Sequence, residues 1–368
     1  MPSVSAAGGP LVLVTGANGY IGTWLIQGLL EKGYTVRGTV RSEEKGKPLT
    51  EYFDSTPYGS NLELPGAFDE AVKGVDAIEH VASPTVFLRR PDDPPDALIV
   101  PAVEGTLGIL RSAQKFGSKV KRIVLTSSIV ALLPIFTAAD AESGVTVPLD
   151  ESGWADAYVD DVRKRGNAAG LLAKYCASKA LAEKAAWEFY EKCKSEVPWD
   201  LVALNPATSP LLDFQDGLTS SLQYWLHHAC KAQPDDVLCD TMGFVDVHDV
   251  VAAHVAALEK EEAGGERIIL CKRTMTWQQH RNEMYTIRPD LYDGASGVLP
   301  SGNPGITPGA LQYTYNTTKA ARILGIVYTD SGDTLGNTME YFETRGFFGG
   351  GAGGNVNVNG NGEVGGVM

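Results

Sequence analysis

The sequence predicts an α/β protein with a doubly wound parallel sheet and a smaller C-terminal lobe. Short apolar runs alternate with helical patterns through the N-terminal half, which is typical of βαβ units. The first apolar run, residues 11–14, leads into the segment T-G-x-x-G-x-x-G at 15–22 and then into an amphipathic helix. The 368 residues, of which 43% are hydrophobic, are enough to bury a large core.

The other elements of the first half follow from the spacing of their apolar residues. Beyond the first strand and helix, the patterns predict strands at 35–40, 75–81, 120–126 and 200–204, and helices at 43–53, 67–73, 96–116 and 171–194. After Pro206 the pattern loosens into short strands at 243–247 and 267–270 and a helix at 249–262, for which Asp249 is the expected N-cap.

These patterns divide the chain into four parts. We expect a flexible N-terminus (1–9), a dinucleotide-binding domain (10–205), a mainly substrate-binding lobe from which some strand and helix return to the sheet (206–345), and a disordered Gly/Asn-rich tail (346–368).

Composition excludes several classes of function. A net charge of −14 with no long basic run argues against nucleic acid or an anionic membrane as partner. The five cysteines form no C-x-x-C pair and the six histidines show no metal-ligand spacing, so we expect reduced thiols and no metal. Residues 1–10 lack the pattern of a signal peptide, and the apolar stretch 123–139 is interrupted by polar residues and Pro134. We therefore predict a cytoplasmic protein without a membrane span.

The glycine-spaced turn predicts a dinucleotide site of the Rossmann type. Gly16 permits the tight turn, Gly19 lets backbone amides approach a pyrophosphate, and Gly22 allows close packing of helix and strand. The phosphates would lie at a helix N-terminus, where N–H groups and the helix dipole favour negative charge. The alternative is a glycine-rich turn without a ligand in a chain that contains 41 glycines. The preceding strand and following helix favour the dinucleotide.

Tyr175 and Lys179 lie one turn apart on the predicted helix 171–194 and are the candidate catalytic pair. When a carbonyl accepts hydride, its oxygen becomes negative and needs a proton. A nearby ammonium is expected to lower the pKa of the phenol from its usual value near 10. Lys179 would also hold the ribose hydroxyls of a coenzyme.

The pattern Y-x-x-x-K occurs three times, so position has to discriminate. Tyr190 with Lys194 lies 15 residues further along the same predicted helix, roughly 22 Å away. Tyr315 with Lys319 falls in the C-terminal lobe. We interpret both as pairs on solvated helix faces.

Ser128 is the candidate third member, because it follows a predicted central strand and ligands bind at the carboxyl ends of parallel strands. Its hydroxyl would orient a substrate carbonyl. The alternative is a serine that satisfies only local backbone groups.

Arg41, and Lys45 one turn later, follow the second strand, where an NAD enzyme usually has an acidic side chain. The first carboxylate there is Glu43. Because a planar guanidinium suits phosphate, we predict that the two cations bind the 2′-phosphate of NADPH/NADP⁺. The alternative is a solvated basic turn.

Together these motifs resemble the extended short-chain dehydrogenase/reductases. The likeness is greatest to the dihydroflavonol-reductase-like branch, which includes fungal carbonyl reductases and plant cinnamoyl-CoA reductases. It extends from about residue 11 to 270, and more faintly to 341, and includes the segments VRGTVRS (36–42), GAFDEAVKGVDAIEHVAS (66–83), PAVEGTLGIL (101–110), VKRIVLTSS (120–128), AEKAAWEFYE (182–191) and FVDVHDVVAAHVAAL (244–258).

The resemblance implies a triad of Ser128, Tyr175 and Lys179. It also implies coenzyme contacts, in addition to Arg41 and Lys45, from Gly16, Ala17, Asn18, Gly19, Tyr20, Ile21, Gly22, Ala82, Ser83 and Pro206. Val86, Phe87 and parts of 209–228 would line the substrate pocket.

Two segments depart from the family's pattern. Residues 54–60 are too short and polar for the usual third strand, and Asn61 and Leu62 occupy the position of the Asp that contacts adenine. After Pro206, where the family has a longer loop, only residues 207–210 remain. The first departure affects the adenine contact and the second affects substrate choice.

We therefore predict an NADPH-dependent reductase that acts on an aldehyde or ketone carbonyl of a small substrate, such as an aromatic compound or secondary metabolite, as a monomer or homodimer. Two alternatives stay open. One is an NAD-retaining enzyme like nucleotide-sugar epimerases and dehydratases, which Arg41 and Lys45 oppose. The other is a non-catalytic dinucleotide sensor, which the retained Tyr175/Lys179 pair opposes.

Overall fold

The computed structural model describes residues 2–55, 62–63, 68–84, 92–137, 140, 144–209, 220–292, 298–306 and 311–348. Within these ranges no helix has the length and apolar character needed to cross a membrane.

The strands in the described ranges, in chain order, are β1 (Leu11–Thr15), β2 (Thr35–Thr39), β3 (Leu62–Glu63), β4 (Ala77–His80), β5 (Arg122–Thr126), β6 (Val147–Leu149), β7 (Asp200–Pro206), β8 (Thr241–Phe244), β9 (Arg267–Leu270), β10 (Arg273–Thr276) and β11 (Tyr313–Tyr315). The α-helices are α1 (Tyr20–Glu31), α2 (Glu43–Asp54), α3 (Phe68–Ala71), α4 (Asp96–Phe116), α5 (Asp156–Arg165), α6 (Leu171–Cys193), α7 (Ser220–Cys230), α8 (Asp235–Leu238), α9 (Val247–Glu259), α10 (Trp277–Ile287) and α11 (Ser331–Thr344).

Seven parallel strands form the central sheet in the order β3-β2-β1-β4-β5-β7-β9. The chain order reverses between β1 and β4, which makes that place the crevice where ligands bind in doubly wound folds. Side chains alternate across the sheet: Val12 and Val14 pack toward α1 and α9, whereas Leu13 packs toward α4 and α6. The predicted doubly wound fold is confirmed.

The third strand is short. β3 pairs Leu62 with Val36 and Glu63 with Arg37, so it lies beside the first half of β2. Asn61 lies outside the described residues. The predicted adenine contact therefore stays a prediction.

The smaller lobe has its own core and also returns elements to the sheet. Trp225 stacks on Phe342 with ring centroids 5.3 Å apart, and Trp277 and Met284 are buried with them. β8 pairs antiparallel with β10, and β6 pairs with β11. β9 extends the main sheet beside β7, and α9 packs on α1.

The start of α9 differs from the prediction. β8 ends at Phe244 and α9 begins at Val247, so the predicted strand 243–247 is displaced. The N-cap is Asp246, whose carboxylate accepts the N–H of His248 at 2.8 Å. Asp249 instead accepts from the backbone N–H and hydroxyl of Thr329. Its role is a link between segments, and the prediction of Asp249 as N-cap is wrong.

Both termini pack further than predicted. Val4 is buried, its N–H donates to the Leu258 carbonyl at 2.8 Å, and its own carbonyl accepts from the Tyr34 hydroxyl. At the other end Phe348 is buried against Phe342. An apolar side chain therefore packs on the fold at each of these places, while the flexible N-terminus (1–9) and the disordered tail (346–368) stay predictions. Residues 349–368 lie outside the described ranges.

A buried ion pair closes the amino edge of the sheet. The Arg122 guanidinium donates to both carboxylate oxygens of Asp200, at 2.7 and 2.8 Å. It also donates to the carbonyls of Ala257 and Lys260 at the end of α9. Both side chains are almost completely buried. The pair joins β5, β7 and α9 where the strands begin.

Candidate active site

The glycine-spaced turn has the close approaches that the sequence predicts. Gly16 has a φ of +68°, in the left-handed region that favours glycine. A Cβ on Gly22 would lie 2.3 Å from the Gly16 carbonyl oxygen, so no side chain fits there. Gly19 is the N-cap of α1, so no side chain occupies the N–H groups of the first turn. That turn also contains no acidic residue that would repel an anion. The turn, which also contains Ala17, Asn18, Tyr20 and Ile21, therefore fits a pyrophosphate.

The end of β4 is tied to this turn. The N–H of Ala82 donates to the Thr15 hydroxyl at 3.2 Å, and the same hydroxyl is hydrogen-bonded to Nδ1 of His80 at 2.8 Å. A Cβ on Gly16 would lie 2.9 Å from Cα of Ala82. Ala82 and Ser83 thus lie directly beside the glycine turn, as their predicted coenzyme role requires.

Lys179 connects α6 to the same place. Its Nζ donates to the Ser83 hydroxyl at 2.9 Å and lies 6.0 Å from the ring centroid of Tyr175. Lys179 is buried, and Tyr175 is half-buried. Phenol, ammonium and the end of β4 are therefore brought together.

Ser128 follows β5 and faces the phenol. Hydrogen bonding with the Ser128 hydroxyl lowers the pKa of Tyr175. The same Oγ accepts the N–H of Val130 at 3.3 Å and caps a 3-10 turn over Ile129–Leu132. Ser128 thus satisfies a local backbone group and also lies beside the phenol, while its role toward a substrate carbonyl stays a prediction.

The expected depression of the Tyr175 pKa is wrong for the folded chain. Burial, followed by the neighbouring Cys176 thiol, raises it to about 12, and the Ser128 hydrogen bond offsets only part of this. Burial also lowers the pKa of Lys179 to about 8, against the opposite effect of Glu183. Helical periodicity predicts that the two side chains share a face, but it does not predict how deeply each is buried, and burial dominates both pKa values.

The other two Y-x-x-x-K pairs lie elsewhere. Tyr190 stacks on Trp199, and Lys194 pairs with Glu191. Tyr315 is in β11, and Lys319 pairs with Glu266 at 2.8 Å. Tyr315 and Lys319 therefore do not share a helix face, contrary to our interpretation of them as a helical pair.

The two arginines in and just after β2 differ in their contacts. Arg37 donates to the carbonyls of Ala71 and Lys73 and closes the end of α3. Arg41 and Lys45 have exposed side chains at the start of α2. Their position leaves both cations accessible to an anion.

The remaining predicted contacts are only partly described. Pro206 ends β7 beside Leu270. The backbone of Leu62 lies in β3, while Val86 and Phe87 lie outside the described residues. Among the described residues no group of three His, Cys, Asp or Glu side chains is arranged to hold a metal ion.

The sequence analysis missed a buried carboxylate behind the triad. Glu183 lies one turn after Lys179 on α6 and is almost completely buried. It accepts hydrogen bonds from Ser127 at 2.6 Å, Asn205 at 2.9 Å and Arg267 at 2.6 Å. The spacing Tyr175–Lys179–Glu183, one residue every turn, is the signal that could have found it.

Comparison with known proteins agrees with this geometry. A family model described as the NAD dependent epimerase/dehydratase family matches residues 12–152. The NADPH-dependent methylglyoxal reductase of Saccharomyces cerevisiae is 32% identical over 345 residues, covering 89% of this chain and 96% of that protein. A cinnamoyl-CoA reductase of Medicago truncatula is 34% identical over 348 residues, covering 92% of this chain and 97% of that protein.

A solved structure shares the whole architecture. The crystal structure of yeast methylglyoxal/isovaleraldehyde reductase complexed with NADPH superposes with a TM-score of 0.76 at 29% identity. The match covers 91% of this chain and 99% of that one.

Proposed function

We propose that this chain, which belongs to the extended short-chain dehydrogenase/reductase family, is an NADPH-dependent reductase of aldehyde or ketone carbonyls with Tyr175 as the proton donor. The observation that carries the proposal is the meeting of Ser128, Tyr175 and Lys179 beside the glycine turn. Ser128 follows β5, and Tyr175 and Lys179 lie on α6, at the edge of the sheet where parallel strands end.

Reduction of a carbonyl needs a hydride at carbon and a proton at oxygen. NADPH, held by the glycine turn together with Arg41 and Lys45, would supply the hydride. With a pKa of about 12, the Tyr175 phenol keeps its proton at neutral pH and can donate it to the oxygen as negative charge develops there. Ser128, whose hydroxyl lies close enough to the phenol to lower its pKa, would orient the carbonyl oxygen toward it. The phenolate left behind is stabilised by the Lys179 ammonium.

Arg41 and Lys45 would determine the choice of coenzyme. Both exposed cations lie just after β2, which pairs with β1 and therefore ends beside the glycine turn. Because a phosphate adds charge that the guanidinium can pair, Arg41→Ala should raise KM for NADPH about tenfold or more and change KM for NADH little. Lys47→Ala, also an exposed cation of α2, is the matched control. An unchanged ratio of the two KM values in Arg41→Ala would refute the phosphate role.

The experiment that tests the function is NADPH consumption with aliphatic, aryl and thioester carbonyls. Tyr175→Phe should lower kcat by about 10²- to 10⁴-fold, because the proton donor is lost, with little change in Kd for NADPH. Tyr190→Phe, on the same helix, should retain activity. Equal turnover by wild type and Tyr175→Phe would remove Tyr175 from the reaction.

The same assay separates the two alternative functions. A coenzyme that stays bound through purification, without consumption of added NADPH, would favour an enzyme that recycles NAD. Tight NADPH binding with no turnover of any carbonyl would favour a sensor.

We further propose that the chain works in a reducing compartment such as the cytoplasm, as a monomer or homodimer. All five cysteines are free thiols, and three of them are buried. The sedimentation coefficient of the purified protein would determine the oligomeric state, and a tetramer or larger would contradict the proposal.

A further inference from the structure

The carboxylate of Glu183 connects three separate elements. One oxygen, Oε2, accepts from the Ser127 hydroxyl and the Asn205 amide, while Oε1 accepts from Nε of Arg267. Ser127 follows β5, Asn205 lies in β7, and Arg267 begins β9. The catalytic helix α6 is thereby bonded to three neighbouring strands of the sheet.

The connection reaches Ser128 by two routes. Ser127 precedes it in the chain, and the N–H of Ser127 is fixed to the Leu204 carbonyl at 2.8 Å. The Asn205 amide that donates to Glu183 also donates to the Ser128 carbonyl at 3.1 Å. The backbone on both sides of the Ser128 Cα is therefore held relative to Glu183.

The same carboxylate shares a helix face with Tyr175 and Lys179. These three residues recur every fourth position of α6, so they point toward the same edge of the sheet. Any rotation of α6 that moved the phenol would also break the bonds of Glu183.

Arg267 is also fixed by contacts with residues other than Glu183. Its guanidinium donates to the carbonyls of Glu151 and Gly153, at 2.5 and 3.0 Å, and lies 3.5 Å from the ring centroid of Trp154. Its Nη2 also donates to Oε2 of Glu183 at 3.4 Å, and the Trp187 indole adds a fifth hydrogen bond to the carboxylate, at 3.3 Å. A carboxylate with this many fixed donors has one available position.

We propose that Glu183 is a positioning residue, which fixes the distance between the Ser128 hydroxyl and the Tyr175 phenol by bonding α6 to the ends of β5 and β7. This inference rests on the proposed reductase function. A second consequence concerns charge, because Glu183 raises the pKa of Lys179. The other groups around Lys179 are the phenol of Tyr175 on α6, the Ser83 hydroxyl and the ring of His80 on β4. His80 is neutral there, since burial lowers its pKa to about 3.

The test is Glu183→Gln in the full-length protein, assayed with NADPH and a carbonyl that the wild type reduces. We expect kcat to fall about 10- to 100-fold, because small misplacement of reacting groups has effects of that size. KM for NADPH should change less than about threefold, since the glycine turn and Arg41 are untouched. The alkaline limb of the kcat profile should move to lower pH, because Lys179 loses the carboxylate that favours its charged form.

Asp200→Asn is the matched control, because it makes the same carboxylate-to-amide change in the other buried arginine pair described above. It should lower stability while leaving kcat and the pH profile of the folded protein unchanged. If Glu183→Gln does not fold, Ser127→Ala replaces it as the test. That change removes one hydrogen bond of Glu183 but leaves its ion pair with Arg267, and kcat should fall severalfold.

The outcomes separate the two proposals. No turnover by the wild type would overturn the proposed function and this inference with it. Turnover by the wild type together with an unchanged kcat and pH profile in Glu183→Gln, or in Ser127→Ala where that variant is used, would overturn the inference alone. A parallel loss of kcat in Asp200→Asn would also overturn it, since the effect would then be general destabilisation.

Discussion

Two buried arginine–carboxylate pairs brace opposite ends of the same sheet, and they differ in what else they contact. Arg122 and Asp200 are almost completely buried where β5 and β7 begin, and the remaining N–H groups of Arg122 donate to carbonyls at the end of α9. Glu183 lies at the carboxyl ends of β5 and β7, where it accepts from Ser127 and Asn205, and its partner Arg267 begins the neighbouring strand β9. The same pairing thus supports the fold at one edge and, under the proposed function, the catalytic geometry at the other.

Burying two charges has a desolvation cost that their attraction does not always exceed. At the amino edge an apolar pair could therefore replace Arg122 and Asp200. At the catalytic edge the carboxylate has two further donors to satisfy, and an apolar replacement would leave them without an acceptor. The neighbours of each ion pair, more than the pair itself, therefore decide its role.

The largest effect is expected from breaking the amino-edge pair. Arg122→Met leaves Asp200 buried without its partner, so the free energy of unfolding should fall by about 3–5 kcal/mol. Urea unfolding measures this loss. The kcat per folded molecule should stay at the wild-type value, because Ser128 lies at the other end of the strand.

Double replacements make the comparison sharper. Arg122→Met with Asp200→Leu should recover most of the stability and keep full activity. Glu183→Leu with Arg267→Met should recover stability relative to either single change, while kcat stays at least about tenfold low because Ser127 and Asn205 have lost their acceptor. Full activity in the second double variant would erase the distinction between the two edges.

A smaller effect is expected from pH. Above about pH 8 Lys179 loses its charge, so kcat/KM should fall there while Tyr175, with a pKa of about 12, stays protonated. Stability should respond in the opposite direction. The unfolded chain holds the Lys179 proton up to the usual value of 10.5, and the folded chain releases it near 8. Between those values the unfolded state binds more protons, so this group's contribution to the free energy of unfolding rises with pH.

The measurement is a kcat/KM profile together with urea unfolding of wild type and Lys179→Met at several pH values. The difference in unfolding free energy between the two proteins should change by up to about 3 kcal/mol across the window. Activity that stays constant to pH 10 would contradict the assignment of Lys179 as a charged participant.

Local patterns carried most of the predicted fold. The helix at 96–116 begins and ends as predicted, because its apolar spacing and its bounds are contained in one segment. The N-cap of α9 was predicted at Asp249, but it is Asp246. Either carboxylate suits a helix start, and only the hydrogen bond from the distant Thr329 to Asp249 distinguishes their roles.

The parts of the candidate site that consist of residues close together in the sequence could be predicted. The glycine turn and the Tyr175/Lys179 pair each occupy one segment. The bonds of Glu183 join residues as far as 84 positions apart, and no local pattern announces them. The predicted lowering of the Tyr175 pKa was wrong for a related reason, because desolvation depends on all the residues that pack around the ring.

The contact between the glycine turn and the end of β4 has a consequence for timing. Gly16 leaves no space for a side chain against Ala82, Thr15 bonds to Ala82, and the next residue, Ser83, accepts from Lys179. Under the proposed function, these contacts link the coenzyme cradle to Lys179, so folding sets their spacing before any coenzyme binds.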